Sequence, residues 1–326
     1  MGLRVGVVGT GRLGRAHVRV LRSLPGVDFV GCYDADAARA REAAAEFGAT
    51  AFDSLDALFS AVNAVSVVTT TSAHAEVALT ALDRGLDVFV EKPLTASVAD
   101  GERVVTRARE RGRLLQVGHI ERFNSAVQAA LPSIGRPLFV EVHRLAPFNL
   151  RGADVSVVMD LMIHDLDLLR LLVGAEPVDV RASGAALLTH APDIVNARLE
   201  YADGCVANVT ASRVTASPMR KVRVFSDRGY FSIDLLAGSA THYRKADGFA
   251  DRIADVKRGG ATSVAMTDII SVQQIRGDGA EPLVKELGAF CQSVADRTPP
   301  PVSGEDGLDA VRLAALILER VGEARA

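Results

Sequence analysis

The first third of the chain alternates short apolar runs with longer segments of helix-forming residues. The apolar runs are rich in β-branched residues and lack an in-and-out alternation, so they predict buried strands. They lie at Leu3–Val8, Asp28–Tyr33, Ala64–Thr70, Asp87–Val90 and Leu114–Val117. The segments between them are rich in Ala, Leu, Arg and Glu at helical spacing. This alternation predicts an α/β fold, a doubly wound parallel sheet covered by helices.

The pattern changes near residue 118, after which strand signals follow one another with few helices between them. Turn dipeptides such as Asp203-Gly204 and Arg228-Gly229 separate several strands, as in antiparallel hairpins. These strands are predicted at Leu138–Leu145, Val178–Leu187, Val195–Tyr201, Val206–Ser212, Lys221–Phe225 and Tyr230–Ile233. The second part of the chain is therefore predicted to be an α+β domain with a large, mostly antiparallel sheet.

Helical signals in the second part are few. They lie at Arg122–Leu131, Val157–Leu172, Gly279–Ala295 and Gly304–Glu319. The segment Val157–Leu172 is strongly apolar and predicts one continuous helix, whereas Asp247–Thr267 is weakly patterned and predicts a loop. We therefore expect two domains, over residues 1–120 and 121–326, with the C-terminal helix packing back near the interface.

Composition excludes several classes of protein. The chain has 326 residues, 48% of them apolar, which is enough for a substantial core. Lys plus Arg number 37 against 40 Asp plus Glu, so the basic footprint of a nucleic-acid-binding protein is missing. Cys32, Cys205 and Cys291 are few and far apart, which argues against a disulfide framework. Without a signal-peptide pattern or an apolar run of about 18 residues, we expect a cytoplasmic protein with no membrane span.

A glycine-rich loop directly follows the first strand and opens a helix. Its residues are Gly9, Thr10, Gly11, Arg12, Leu13 and Gly14. This context is that of a dinucleotide-binding fingerprint. Gly9 permits the tight turn, Gly11 lets a pyrophosphate approach the backbone, and Gly14 lets helix and strand pack closely. Residues 1–120 are therefore predicted to form a Rossmann domain that binds a dinucleotide at the helix N-terminus.

An acidic residue, Asp34, ends the second strand 20 residues after Gly14. A carboxylate at this place accepts hydrogen bonds from the adenosine ribose hydroxyls, and it would repel a 2′-phosphate. The sequence therefore favours NAD over NADP. Arg39 keeps NADP open as the less favoured alternative, because a nearby arginine can pair with that phosphate.

Two further sets of residues carry chemistry. Lys92, in Glu91-Lys92-Pro93, follows a strand at the sheet edge where α/β proteins bind ligands. Asp160, His164 and Asp167 fall on one face of the predicted apolar helix. A buried core histidine satisfied by Asp160 is one interpretation of that face, and a catalytic histidine is another. A metal site is not predicted, because no further ligands have a recognisable spacing.

The order of these motifs resembles that of one family. The glycine loop and Asp34 are followed by Ala73-His74-Ala75-Glu76, Glu91-Lys92-Pro93, Arg122-Phe123-Asn124 and Asp160-Leu161-Met162-Ile163-His164-Asp165. This series resembles the Gfo/Idh/MocA family of NAD(P)-dependent oxidoreductases over essentially the whole chain. Runs such as Val117–Asn124 and Gly204–Thr210 are closest to a sugar-nucleotide branch. That branch oxidises UDP-N-acetylglucosamine to a 3-keto sugar for transamination, ahead of a lipid A precursor.

The resemblance implies a role for particular residues. Lys92 and His164 surround the reacting carbinol, Asp160 lines the site, and the Lys92–Pro93 peptide is expected to be cis. Cofactor contacts are predicted for the six residues of the glycine loop and for Asp34, Thr70, His74, Glu91 and Lys92. Substrate contacts are predicted for Arg122, Asn124, Arg151, Asp160 and His164. Arginine suits a diphosphate because it makes bidentate contacts.

The expected reaction is oxidation of a secondary alcohol. His164 is predicted to act as the base because imidazole titrates near neutral pH, with Asp160 orienting it. Lys92 is predicted to stabilise the developing alkoxide. The reverse assignment stays open, because a desolvated lysine can also serve as a base.

Other interpretations of the chain also remain. A dehydrogenase of a free sugar, inositol or another small alcohol is one, and a catalytically silent NAD-sensing regulator is another. The alternating faces of the strand Val206–Ser212 predict an open sheet face that a partner covers. We therefore expect a homodimer or homotetramer formed through the C-terminal sheet.

Overall fold

A computed structural model describes residues 2–149, 155–258 and 265–323. Its strands are β1 Leu3–Val8, β2 Val27–Tyr33, β3 Thr50–Ala51, β4 Ala64–Val67, β5 Asp87–Glu91, β6 Leu115–Gly118, β7 Pro137–Leu145, β8 Pro177–Ala185, β9 Ile194–Tyr201, β10 Val206–Ser212, β11 Met219–Ser226, β12 Gly229–Asp234, β13 Ser239–Lys245 and β14 Ile270–Arg276. Its α-helices are α1 Arg12–Ser23, α2 Ala37–Phe47, α3 Leu55–Ala61, α4 Thr71–Asp83, α5 Val98–Glu110, α6 Ser125–Ile134, α7 Ile163–Val173, α8 Phe249–Lys257, α9 Met266–Ile269, α10 Pro282–Asp296 and α11 Gly304–Glu323. A 3₁₀ turn spans Ile120–Phe123 and a π-helical turn spans Val158–Met162.

The chain forms two compact units. The first comprises Met1–Phe123 and Glu281–Leu316, and the second comprises Asn124–Ala280 and the end of α11 from Ile317. The second domain was predicted to span residues 121–326, whereas in the structure Glu281–Leu316 belongs to the first unit. The predicted α/β fold with a parallel sheet and a second, mostly antiparallel sheet is confirmed.

The first unit contains a six-stranded parallel sheet in the order β3-β2-β1-β4-β5-β6. From β1 the chain adds β2 and β3 on one side of the sheet, and it then crosses over to add β4, β5 and β6 on the other side of β1. Open α/β sheets bind ligands at this kind of reversal, outside the carboxyl ends of the strands. The glycine loop and Asp34 follow β1 and β2, and Lys92 follows β5, so three predicted site segments lie at that edge.

Helix α10 belongs to the core of the first unit because its apolar face packs there. Leu283, Leu287 and Phe290 are at most 5% exposed and share a hydrophobic cluster with Val5 and Phe89. The rings of Phe89 and Phe290 meet edge to face, 5.8 Å between centroids. The sequence predicted this helix but gave no sign of which sheet it would cover.

The second unit contains an eight-stranded sheet in the order β14-β13-β12-β11-β7-β10-β9-β8. Its strands pair antiparallel except β7 with β10, which pair parallel. Of the loop predicted over Asp247–Thr267, residues 259–264 lie outside the described residues; the described part contains helix α8 at Phe249–Lys257 and the start of α9. Helix α8 was not predicted, although Phe249, Ile253 and Val256 fall at helical spacing; none of its residues is buried. Three strands were also not predicted: β3, which has two residues, β13, and β14, whose burial does not alternate clearly.

The segment predicted as one helix over Val157–Leu172 begins with the π-helical turn and continues as α7. A π turn accommodates one extra residue and shifts the side chains before it relative to those after it. Asp160 lies in the π turn and His164 in the first turn of α7, so the regular i, i+4 face predicted for this pair is altered.

Candidate active site

The glycine loop has the conformation that a pyrophosphate-binding turn requires. Gly9 has φ +94°, and a Cβ there would lie 2.4 Å from the Val68 carbonyl oxygen. A Cβ on Gly14 would lie 1.9 Å from the Gly9 carbonyl oxygen, so the start of α1 can approach the loop only with glycine. A Cβ on Gly11 would meet no atom within 4 Å. The space in front of Gly11 is therefore open, as the approach of a cofactor phosphate demands.

Asp34 is bonded to the glycine loop. Its Oδ2 accepts the backbone N–H of Thr10 at 2.6 Å and the Thr10 hydroxyl at 3.0 Å, and its Oδ1 accepts the N–H of Asp36 at 2.9 Å. These contacts fix the carboxylate beside the loop, where NAD ribose hydroxyls are received. Arg39, the residue that kept NADP open, pairs with Asp36 at 3.3 Å. That pairing supplies the arginine with a partner other than a 2′-phosphate.

The turn carrying Lys92 is held by buried groups. The Lys92–Pro93 peptide is cis, as the resemblance implied. Glu91 is 7% exposed, and its Oε2 accepts the backbone N–H of Lys92 at 3.1 Å. Its Oε1 lies 3.1 Å from Nε2 of His17, which is fully buried on α1. The other ring nitrogen of His17, Nδ1, lies 2.9 Å from the Ser66 hydroxyl on β4.

The surroundings of Glu91 favour the ionised form of its carboxyl group. Burial raises the pKa of its carboxyl group, but the hydrogen bond and charge of His17 and the charge and N–H of Lys92 outweigh it. The net effect is a pKa below the ordinary value. An ionised carboxylate can only accept hydrogen bonds, so with this form of Glu91 the contact requires the hydrogen on Nε2 of His17.

His74 joins two loops at the same edge of the sheet. It is 1% exposed, with Nδ1 2.8 Å from the Pro93 carbonyl oxygen and Nε2 3.3 Å from that of Thr69. Burial lowers the pKa of His74, against the smaller opposing effects of these carbonyls and of Glu91. Thr70, the other predicted cofactor contact in this region, is the exposed N-cap residue of α4.

In the second unit, Asp160 and His164 lie on the π turn and α7, and both are partly exposed. The neighbouring Asp165 is fully buried, and Nε and Nη2 of Arg144 on β7 donate to its carboxylate at 2.8–3.0 Å. This buried bidentate pair fixes the start of α7 against the sheet. Asp167, the third residue of the predicted face, is buried.

The entry to the π turn is anchored by a neighbouring loop. The Val157 N–H donates to the Pro192 carbonyl at 3.1 Å, and Nη2 of Arg213 donates to the Val155 carbonyl at 2.7 Å. Asp193 orders that loop by accepting the backbone N–H groups of residues 187–189. Although burial raises the pKa of Asp193, these donors hold it well below its usual range. The start of the π turn that carries Asp160 is thus fixed in position.

Some of the remaining residues predicted to contact cofactor or substrate already bond to other protein groups, and others are exposed. Arg122 donates to the Pro301 carbonyl and pairs with Asp306 at 3.3 Å. Asn124 caps α6 and donates to the Leu235 carbonyl at 3.0 Å. These contacts give both side chains a structural task, and their contact with substrate stays a prediction. Arg12 and Leu13 are exposed on the loop, and Arg151 lies outside the described residues.

The first unit thus brings together the glycine loop, Asp34, His74, Glu91 and the Lys92 turn, and the second places Asp160 and His164 on one helical segment. His17, Ser66 and the Arg144–Asp165 pair were not among the predicted site residues. Only the pairing of atoms distant in sequence marks them, and no motif spacing could. In residues 2–149, 155–258 and 265–323, no three His, Cys, Asp or Glu side chains cluster as metal ligands would.

The fold and the loop geometry define a dinucleotide-dependent oxidoreductase. Residues 3–119 match the model of the Gfo/Idh/MocA oxidoreductase family with an NAD-binding Rossmann fold, and residues 130–232 match that of the family's C-terminal domain. The chain belongs to the Gfo/Idh/MocA family, which confirms the resemblance seen in the sequence. It is an NAD-dependent oxidoreductase acting on CH–OH groups.

Several relatives of known name are similar over most of their length. A UDP-N-acetylglucosamine 3-dehydrogenase from Acidithiobacillus ferrooxidans is 40% identical over 296 residues, which cover 90% of this chain and 93% of the relative. A solved structure of that enzyme superposes with a TM-score of 0.89, at 36% identity over 98% of both chains. A scyllo-inositol 2-dehydrogenase from Bacillus subtilis is 31% identical and covers 65% of this chain and 68% of its own.

Proposed function

We propose that this protein oxidises UDP-N-acetylglucosamine to its 3-keto form with NAD as the oxidant. The observation that carries the proposal is the full-length similarity to the Acidithiobacillus ferrooxidans enzyme. It extends over 98% of both chains in the structural comparison and therefore includes the second unit, where the substrate-binding residues are predicted. Fold alone does not assign a substrate, so the motif residues of this chain must also suit the reaction.

The residues of the first unit suit the cofactor. The glycine loop would receive the pyrophosphate, with Gly11 leaving the approach open, and Asp34 would accept the ribose hydroxyls. NAD, when bound, supplies the hydride acceptor. The carboxylate of Asp34, which would repel a 2′-phosphate, supports NAD rather than NADP.

The predicted catalytic residues divide the remaining chemistry. Oxidation of the alcohol releases a proton as well as a hydride, and we propose that His164 takes the proton with Asp160 orienting its ring. Lys92 donates a hydrogen bond to the same oxygen and stabilises its developing negative charge. The buried Arg144–Asp165 pair supports this assignment because it fixes the backbone next to His164. The pH profiles of variants at both positions distinguish this assignment from the reverse one, with Lys92 as the base.

The test compares His164→Asn and Lys92→Met with the parent enzyme, using UDP-N-acetylglucosamine and NAD over a range of pH. Removal of a general base is expected to lower kcat by about 10²- to 10⁴-fold and to abolish the acidic limb of the pH profile. His190→Asn and Lys257→Met replace exposed residues of the same types and serve as matched controls. If His164→Asn retains near-parental kcat, His164 is not the base.

A second candidate substrate is inositol, because the relatives also include inositol dehydrogenases, such as one from Thermotoga maritima with 27% identity over 95% of this chain. A panel of UDP-N-acetylglucosamine, free N-acetylglucosamine, glucose and myo-inositol separates the candidates. We expect kcat/KM for the sugar nucleotide to exceed the others by at least about 100-fold, since a diphosphate offers charge-assisted contacts. Faster turnover of myo-inositol would assign the protein to the second candidate.

We further propose that the 3-keto product serves transamination toward a lipid A precursor in the cytoplasm.

We also propose that the protein is a homodimer or homotetramer. The oligomer is supported by a row of apolar side chains on one face of the second sheet. Register pairs Phe139 with Phe225, Phe225 with Tyr230, Tyr230 with Tyr243, and Tyr243 with Val272. The paired rings stack or meet edge to face, and Phe225 is 37% and Val272 56% exposed. An apolar row of this length on a surface favours a protein partner.

A further inference from the structure

The backbone of Lys92 is held by a chain of buried hydrogen bonds that begins on the helix of the glycine loop. His17 lies one turn beyond Gly14, and its imidazole bridges the Ser66 hydroxyl and the Glu91 carboxylate at 2.9 and 3.1 Å. The second oxygen of that carboxylate accepts the N–H of Lys92 at 3.1 Å. Three elements, α1, β4 and β5, are thereby joined at the residue before the lysine.

The packing around Glu91 leaves its carboxylate little freedom. A Cβ on Gly118 at the end of β6 would lie 3.0 Å from the Glu91 carboxyl carbon and 3.1 Å from its Cα. The ring of Phe89 packs edge to face on His17, at 5.5 Å between centroids. The carboxylate is confined between a glycine backbone and a fixed imidazole, so it can act as a rigid acceptor.

We propose that Glu91, held by His17, is a positioning residue that fixes the backbone of Lys92 and so directs its ammonium group to the reacting oxygen. This inference rests on the proposed function of Lys92. The ammonium group stands at the end of four methylene groups, so a small backbone rotation moves it appreciably. A displacement of about 1 Å in a reacting group costs about 100-fold in rate.

The kinetic test uses Glu91→Met, which keeps the volume of the side chain but removes both acceptors, and Glu91→Gln, which keeps an acceptor for the Lys92 N–H. Glu91→Met is expected to lower kcat about 10- to 100-fold, with KM for UDP-N-acetylglucosamine changed less than about threefold. Glu91→Gln is expected to recover most of that loss. Glu102→Ala, which removes an exposed carboxylate from the same unit, is the matched control.

Because positioning acts through Lys92, the effect must disappear when the ammonium is absent. In a Lys92→Met background, Glu91→Met is expected to cause no further loss of kcat. A loss of the same size in both backgrounds would show a general structural role and overturn the proposal. Gly118→Ala and His17→Phe provide second variants, since they disturb the Glu91 carboxylate without replacing it, and the same kcat and KM pattern is expected from whichever variants fold.

A measurement independent of turnover separates this inference from the proposed function. Amide hydrogen exchange at Lys92 reports its N–H bond to Glu91 directly, in the protein without substrate. We expect Glu91→Met and His17→Phe to accelerate exchange at Lys92 at least about tenfold, while the amides of β4 and α1 keep parental protection. Unchanged exchange at Lys92 would refute the positioning role even if the enzyme oxidises UDP-N-acetylglucosamine. Accelerated exchange in a protein that does not turn over this substrate would refute the proposed function alone.

Discussion

At the scale of single residues, polar side chains near the predicted site pair over long sequence separations. His17 and Glu91 are 74 positions apart, and Arg144 and Asp165 are 21 apart. A buried ion pair of the latter kind is costly to break, about 3–5 kcal/mol when one partner is removed. Such pairs set the geometry of the neighbouring motif residues, Lys92 and His164.

The buried His74 makes the free energy of unfolding depend on pH. Its pKa is lowered by burial, so the folded protein binds a proton there less readily than the unfolded chain, whose histidines titrate near 6.5. The free energy of unfolding therefore has its full His74 contribution above about pH 6.5. That contribution declines as pH falls toward the folded-state pKa, by at most about 1.4 kcal/mol per pH unit.

Urea unfolding of the parent and of His74→Asn between pH 5 and 8 measures this effect. The asparagine amide can still donate to the Pro93 carbonyl, but it does not titrate. We expect the variant to lose less stability than the parent between pH 6.5 and 5. An identical loss in both proteins would mean that His74 is not the titrating group.

The sequence motifs predicted which residues would lie at the site but not what holds them. Lys92, Asp34 and the glycine loop follow strands, so their place at the carboxyl edge of the sheet is a consequence of the strand and helix pattern. His17 and Ser66 give no comparable signal, because a histidine on a helix and a serine in a strand are common in any core. Their role appears only when tertiary packing brings them beside Glu91.

At the scale of elements, two glycines of the glycine loop meet different requirements, one for folding and one for binding. A methyl group on Gly14 would collide with the Gly9 carbonyl, whereas one on Gly11 would project into open space. The backbone of Gly11 has φ −61°, which alanine also adopts. The packing of the loop therefore requires glycine at position 14, whereas at position 11 we expect glycine to be needed only for the approach of the cofactor.

Gly11→Ala and Gly14→Ala are a matched pair of variants that tests this separation. Gly11→Ala is expected to keep the parental Tm within a few degrees while weakening NADH binding at least about tenfold, because its methyl group occupies the approach of the pyrophosphate. Gly14→Ala is expected to lower the Tm strongly. NADH titration by fluorescence and thermal unfolding supply both readouts, and unchanged NADH affinity in Gly11→Ala would contradict the assignment of the loop.

The π turn at Val158–Met162 is an element that the hydrophobic pattern could not distinguish from an α-helix. Hydrophobic spacing correctly predicted a helix there. In a segment that is apolar on nearly all sides, however, the spacing does not distinguish an α turn from a π turn. The anchoring of Val155 and Val157 at its entry by Arg213 and Pro192 is a tertiary effect. Such effects decide how Asp160 is presented relative to His164.

At the scale of the whole molecule, the structure has no helix, among its described residues, with the length and apolar character of a membrane span. The surface feature that stands out is the row formed by Phe139, Phe225, Tyr230, Tyr243 and Val272. Arg223 adds a cation over the Tyr230 ring, 5.5 Å from its centroid, and a hydrogen bond to the Tyr230 hydroxyl at 2.9 Å. Aromatic residues and arginine are enriched in protein interfaces.

We expect Phe225→Asp to convert the proposed oligomer to a monomer, because a carboxylate in the middle of an apolar row is not compensated on burial. Sedimentation velocity at micromolar concentration measures the change. Leu236→Asp introduces the same charge at another exposed apolar residue of the second unit, which is 50% exposed, and is expected to leave the oligomer intact. A parent protein that sediments as a monomer would refute the oligomer itself.

The return of Glu281–Leu316 to the first unit affects the order in which this protein is made. The ribosome delivers Met1–Phe123 first, but α10, which supplies Leu287 and Phe290 to the core of that unit, emerges only after the whole intervening segment. The nascent N-terminal segment therefore keeps an incomplete apolar surface until the chain through Leu316 has been synthesised and released from the ribosome. A graft or truncation that takes only the N-terminal segment would inherit that exposed surface permanently.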